Sequence, residues 1–177
     1  MPRWNFEKFP GVDPALGPQM KSVGEVMAIG RTFAEALNKA IRGLDIGAPG
    51  FSRLLAKRQE LDGTPLDQPR SHRLFQIAVD LSNGRSPADI IEESAYDPWF
   101  ITQFQEILEL EDELYELGQT GWQKLAEEAT NQPIHQFTNL LLRAKKFGLA
   151  DPVIADALGI EETAVRALRN SLGLPAN

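Results

Sequence analysis

After Arg70 the chain places a capping residue directly before a proline three times, at Ser86-Pro87, Asp97-Pro98 and Asp151-Pro152. A Ser or Asp at that position offers an oxygen to the free amides of a first helical turn. The proline that follows lacks only an N–H that would have no intrahelical partner there. Each pair therefore reads as a helix start, and their spacing allows a series of short to medium helices. Ser71 starts another, ending near Gly84. Further helices are expected over 121–130, 133–147 and 161–172. Residues 70–177 thus read as an all-α domain of about seven helices. Within it, residues 90–98 echo residues 154–162 at an offset of 64, each a short helix followed by a tight turn and a second helix.

The first part of the chain has a different texture. Trp4 and Phe6 alternate with polar neighbours, a strand pattern over residues 3–9, stopped by Phe9-Pro10-Gly11. Three prolines and two glycines make residues 10–19 a loop. So short a strand has no partner in sight, and strands need neighbours for their backbone groups, so its sheet is expected to lie outside this chain. Ser22-Val23-Gly24-Glu25 has the form of a capping box. It predicts a helix running to about Leu44, with Val26, Ile29, Phe33, Leu37, Ala40 and Leu44 on one stripe. Close packing is expected at the small residues Gly24, Ala28 and Gly30. Residues 47–69 read as a linker, interrupted by a short basic helix around Arg53 to Glu60. The fold class is therefore mainly α: a short N-terminal β-segment and a long helix, then an all-α multi-helix domain.

The 177 residues include 42% apolar ones, enough for a real core, and no cysteine. Disulfides, thiolate metal sites and cysteine nucleophiles are excluded together. The N-terminus lacks the apolar core of a signal peptide, and no apolar run approaches the ~18 residues of a membrane span. A cytoplasmic chain with no membrane partner is expected. The net charge of −7 is unevenly placed: Ser86 to Gln123 holds ten acids and neither Lys nor Arg. This acidic helical block sits in a mildly basic remainder and reads as a solvated or partner-facing surface.

No complete catalytic set is visible. His72 and His135, the only histidines, have no nucleophile or second histidine at motif spacing, and both read as structural. The phosphate-loop, dinucleotide and zinc-helix motifs are missing. Glu106, Glu109, Asp112, Glu113 and Glu116 fall opposite Phe100, Phe104, Ile107 and Leu114 on one helix, a solvated face rather than a metal site with converging ligands. Glu111 differs, because it lies inside the apolar arc. A buried or interface carboxylate there needs an arginine or a free helix N-terminus, in this chain or across an interface. Val153 to Leu168 has the spacing of a helix-turn-helix, with Gly159 four residues after Ala155. Its second helix opens with Glu161 and Glu162, which Arg166 and Arg169 only balance. That is a poor charge for phosphate, so a structural hairpin is the preferred reading. A free-standing helical protein that binds DNA through this unit is the alternative.

Two longer motifs carry more information: residues 2–9, Pro-Arg-Trp-Asn-Phe-Glu-Lys-Phe, and residues 19–32, Gln-Met-Lys-Ser-Val-Gly-Glu-Val-Met-Ala-Ile-Gly-Arg-Thr. In this order they resemble the large subunit of carbamoyl-phosphate synthase. The resemblance implies that residues 1–46 close that family's carboxyphosphate-forming ATP-grasp domain. It implies that residues 47–69 link it to the helical oligomerisation domain, 70–177, where Asp97-Pro98-Trp99-Phe100, Leu110-Glu111 and Phe147 to Asp151 are similar to the family. It implies a non-catalytic structural segment, inactive alone, in a subunit whose enzyme is an ATP-dependent ligase. That enzyme makes carbamoyl phosphate from bicarbonate, glutamine-derived ammonia and ATP, for arginine and pyrimidine biosynthesis. No cofactor or metal would bind this segment; ATP and Mg or Mn would belong to the parent. The implied partners are the other large-subunit domains, the glutaminase small subunit and further copies of the helical domain. Met20 and Glu25 match positions that resemble the family's carbamate-tunnel lining.

Overall fold

The computed structural model describes residues 1–9, 11–57, 61, 65–119 and 131–174, with the side chains of residues 7, 56, 57 and 131–136 outside the description. Among these residues the protein is mainly helical. Seven α-helices follow one another: α1 Phe33–Gly43, α2 Arg73–Ser82, α3 Pro87–Ser94, α4 Pro98–Gln119, α5 Asn131–Lys146, α6 Asp151–Leu158 and α7 Glu162–Ser171. Two 3-10 turns lie at Phe6–Lys8 and Arg53–Lys57. The helix expected over 121–130 falls outside the described residues.

The N-terminal part departs from expectation in three ways. The strand at the start is shorter, β1 at Pro2–Arg3, and residues 6–8 turn into a 3-10 helix. It also has a partner in this chain, because β1 pairs antiparallel with β2, Gly24–Glu25. The helix read from Ser22 begins at Phe33 instead. Its capping box is Thr32-Phe33-Ala34-Glu35: the Thr32 hydroxyl accepts from the Glu35 amide at 3.2 Å, and the Glu35 carboxylate accepts from the Arg31 amide at 2.7 Å. Residues 26–30 belong to no helix or strand, and Met27 and Ile29 are exposed between half-buried neighbours. Of the small residues, Gly30 is tightly packed: a Cβ there would lie 2.5 Å from the Ala36 amide nitrogen. At Gly24 a Cβ would meet nothing.

The proline-marked starts are correct to within a residue, but the capping oxygens behave differently. Asp97 caps α4, accepting from the Trp99 amide at 2.9 Å. Ser86 stands at the N-cap of α3 without bonding its amides. Asp151 lies inside α6, whose N-cap is Ala150. Its carboxylate turns to Lys145 and Arg169 instead.

α4, the longest helix, is the spine. Its 22 residues span about 33 Å at 1.5 Å per residue. Ile101, Phe104, Ile107 and Leu108 pack with α1, α2, α3 and the segment between α1 and α2, which contributes Phe51, Leu55, Leu61 and Leu66. Leu110 and Leu114 pack with α5, α6 and α7. Gly118 lets α4 close on α6, since a Cβ there would sit 2.6 Å from the Ala157 carbonyl oxygen. The echo at offset 64 is structural. α3 and α6 both have eight residues, and each is followed by a left-handed residue, Ala95 at φ 54° and Gly159 at φ 65°. Ile90 and Ile154 are buried at equivalent positions, as are Ile101 and Val165. The two hairpins therefore bury side chains at matching positions.

Candidate functional site

Three buried polar clasps hold the helices in place around the spine. The first is Glu111, fully buried in the middle of α4. Its carboxylate accepts from the Ser52 hydroxyl at 2.7 Å and from the Arg53 amide at 2.9 Å, at the start of the 3-10 turn. Burial pushes its pKa up, while the two donors and the nearby Arg53 guanidinium pull it down. Arg53 also pairs with Asp112 and donates to the Ser82 carbonyl. The second clasp is Asn38 on α1, also buried. Its Nδ2 donates to the Phe147 carbonyl at 2.9 Å and its Oδ1 accepts from the Phe51 amide at 2.7 Å. One side chain therefore satisfies backbone groups from two distant turns.

The third clasp is ionic. Lys145, 3% exposed, donates to Asp151 at 2.8 Å and to the Leu149 carbonyl at 2.9 Å. Arg169 reaches the same carboxylate at 3.4 Å. Burial pushes the Lys145 pKa down, opposed by Asp151. Burial alone would raise the Asp151 pKa, but the two cations outweigh it and hold the carboxyl below its usual range. A carboxyl lowered by folding contributes stability above its unfolded pKa of about 4 and loses it as the pH falls through the folded value. Asp151→Asn is therefore expected to cost about 2 kcal/mol at pH 7, since Lys145 stays buried without its counterion. In urea denaturation, that margin over the variant should shrink toward pH 3. An equal margin at both pH values would rule out the ion pair as its source.

A groove of about 560 Å³ opens where α1 meets the α3–α4 corner. Phe33, Leu37, Tyr96, Phe100 and Phe104 line it, and Arg73 and Asp97 stand at its polar side. Phe33 meets Trp99 and Phe100 edge-on, with ring centroids 5.3 and 5.4 Å away. The Arg73 guanidinium lies 5.1 Å from the Tyr96 ring centroid, a cation–π contact. No described carboxylate pairs with Arg73, and its buried Nε–H has no acceptor among the described residues. Trp99 is exposed beside the groove, and Phe100 in its wall is also partly exposed. An open apolar patch rimmed by charge binds a partner more readily than it performs chemistry.

The remaining candidates are placed as follows. Met20 and Glu25 are both exposed, Glu25 on β2, and neither lines the groove. His72 is half-buried at the N-cap of α2, and the His135 side chain lies outside the description. On the acidic face of α4, Glu113 forms a two-pronged pair with Arg143 and Asp112 pairs with Arg53, while Glu106, Glu109 and Glu116 are exposed. Among the described residues no group of three His, Asp or Glu could hold a metal ion, and no helix is long and apolar enough to cross a membrane. α6 and α7 form a hairpin about Gly159. Of its two arginines, Arg166 pairs with Glu162 at 2.9 Å, and Arg169 is buried against Asp151. Arg166 stays exposed in that pair, whereas Arg169 is turned inward, away from any phosphate backbone.

Asn38, Arg73 and Lys145 carry no role in the sequence reading, and Arg169 enters it only as a charge balancing Glu161 and Glu162. Asn38 left a signal, as a lone amide on the apolar stripe of α1. The others depend on long-range contacts.

The family model described as the carbamoyl-phosphate synthetase large chain, oligomerisation domain, matches residues 25–173. The chain is 40% identical over 190 residues to the carbamoyl phosphate synthase large chain, N-terminal section, of Methanopyrus kandleri, covering 99% of this chain and 31% of that protein. It is 41% identical over 169 residues to the carbamoyl phosphate synthase large chain of Methanothermobacter thermautotrophicus, covering 96% of this chain and 14% of that one. For the large chain of Rhizobium meliloti the identity is 39% over 181 residues, at 98% and 14% coverage. The chain thus spans about a third or less of the relatives it matches.

Proposed function

The chain belongs to the carbamoyl-phosphate synthetase large chain family, and from that premise we propose that it is a non-catalytic structural segment that joins the neighbouring parts of such a large chain and associates with further copies. One observation carries this reading. The helical body closes its own core, whereas the arm before it turns Met20, Val23, Met27 and Ile29 outward at 59–92% exposure. Four large apolar side chains turned outward within ten residues suit docking, and they fit the segment before α1 meeting a larger neighbouring domain. In this reading residues 47–69 connect that domain to the oligomerisation unit, 70–177, and Met20 and Glu25 face the route that carbamate takes. The parent enzyme, a cytoplasmic ligase with a glutaminase small subunit, supplies ATP and divalent metal sites elsewhere. It makes carbamoyl phosphate from bicarbonate, glutamine-derived ammonia and ATP for arginine and pyrimidine biosynthesis.

Sedimentation equilibrium of the 177-residue chain over a wide concentration range tests the associating role. Reversible, concentration-dependent dimers or larger species are the expected result. A strict monomer at every concentration would remove self-association from the reading and leave the joining role to the apolar arm.

A further inference from the structure

We infer that the groove between α1 and the α3–α4 corner is the seat of a second copy of this chain, filled across a two-fold axis by the partner's Trp99 and closed by reciprocal Arg73–Asp97 ion pairs. The inference rests on the self-association proposed above and names its surface. The groove has room for an indole at about 560 Å³, and its walls are the rings of Phe33, Tyr96, Phe100 and Phe104. Those rings already stack on one another in edge or tilted contacts, so an added ring finds the geometry that aromatic pairs prefer. Aromatic residues and arginine are the residue types that dominate binding energy at protein interfaces.

The chemistry of the occupant is set by what the groove lacks. Arg73 stands in it with a cation–π contact but no described carboxylate, and its buried Nε–H has no acceptor among the described residues. An occupant must bring a large apolar group and a carboxylate close together. The exposed run Asp97-Pro98-Trp99-Phe100, beside the groove, carries both. Asp97 uses Oδ1 to cap the Trp99 amide, which holds the two side chains at a fixed spacing and leaves Oδ2 for a guanidinium. Trp99, 52% exposed, meets Phe33 and Phe100 in edge-on ring contacts and is available as a knob. A knob and a matching hole side by side, with opposite charges beside them, make a self-complementary patch. A two-fold contact requires this arrangement. The corner is also rigidly placed: Ala95 holds a left-handed conformation at φ 54°, and Ser94 Oγ accepts from the Tyr96 amide.

Sedimentation equilibrium of the wild-type chain, Trp99→Glu, Arg73→Glu, Asp97→Lys and an equimolar mixture of the last two decides the matter. Trp99→Glu should weaken association about 30-fold or more while keeping the wild-type thermal midpoint, because the ring is half exposed. Each charge reversal alone should also weaken it. The mixture should restore it, because a mixed dimer has one native and one reversed ion pair. Unchanged association of Trp99→Glu, or failure of the mixture to recover, would overturn the two-fold groove contact while leaving self-association standing on another surface. A wild-type chain that never associates would remove both.

Discussion

Glu111→Ala is expected to lower stability by about 4 kcal/mol, a fall of about 10 °C in thermal midpoint for a chain of this length. The carboxylate is fully buried and is the shared acceptor for the Ser52 hydroxyl and the Arg53 amide. Truncation leaves both donors in a dry interior, each costing about 1–3 kcal/mol, and opens a cavity at the centre of the spine helix. The loss should spread, because the 3-10 turn that Glu111 holds also seats Phe51 and Leu55 in the core, and Phe51 stacks on Phe104 at 4.6 Å. Glu111→Gln separates charge from hydrogen bonding. Its amide oxygen can take the Arg53 N–H while its NH2 donates to Ser52 Oγ, and burial already disfavours the ionised acid. That variant should lie within about 1 kcal/mol of wild type. Urea denaturation of the two variants is the measurement. An alanine variant as stable as the glutamine one would mean that the two donors find water or other acceptors, and the clasp would not be what orders residues 51–54.

The contrast between α4 and the arm shows which parts of this fold local sequence can reveal. α3, α4 and α6 are legible because proline restricts where a helix can start and because their apolar residues recur at helical spacing. The true start of α1 was hidden. Val26 and Ile29 fall by chance in helical register with Phe33 and Leu37, and Ser22 to Glu25 imitates a cap that Thr32 to Glu35 actually makes. What decides between them is the pairing of residues 24–25 with residues 2–3, a contact that no window of local sequence contains. Asp151 was misread as a cap for a similar reason, since Lys145 and Arg169 compete for the same carboxylate. For Glu111 the sequence showed that a partner was needed, because a carboxylate stood in an apolar arc. The identity of the partner lies 58 residues away in the chain. The groove was not legible at all. Its parts come from α1, α2 and the α3–α4 corner, and Arg73 stands among aromatic rings without a described carboxylate only once they meet.

Gly148→Ala should cost about 3 kcal/mol, while the same change at Gly159 should cost about 1 kcal/mol. Both residues hold left-handed backbones, at φ 76° and 65°, so the conformational penalty of adding a Cβ is nearly equal. Their surroundings are not. At Gly159 a Cβ meets nothing within 4 Å. At Gly148 it would lie 3.0 Å from Glu35 Cα and 3.1 Å from the Glu35 carbonyl oxygen. Those are main-chain atoms of α1, which cannot swing aside as a side chain would. α1 must therefore move away from the α5–α6 turn, stretching the Asn38 bond to the Phe147 carbonyl and the 2.6 Å Arg42 bond to the Gly148 carbonyl. Equal losses at the two glycines in urea denaturation would mean that this contact is looser than 3 Å. The consequence also reaches function, because α1 supplies Phe33 and Leu37 to the groove. A substitution in a turn behind the helix should then weaken association of the folded chain without altering any groove residue. Gly159→Ala, which leaves α1 in place, should not.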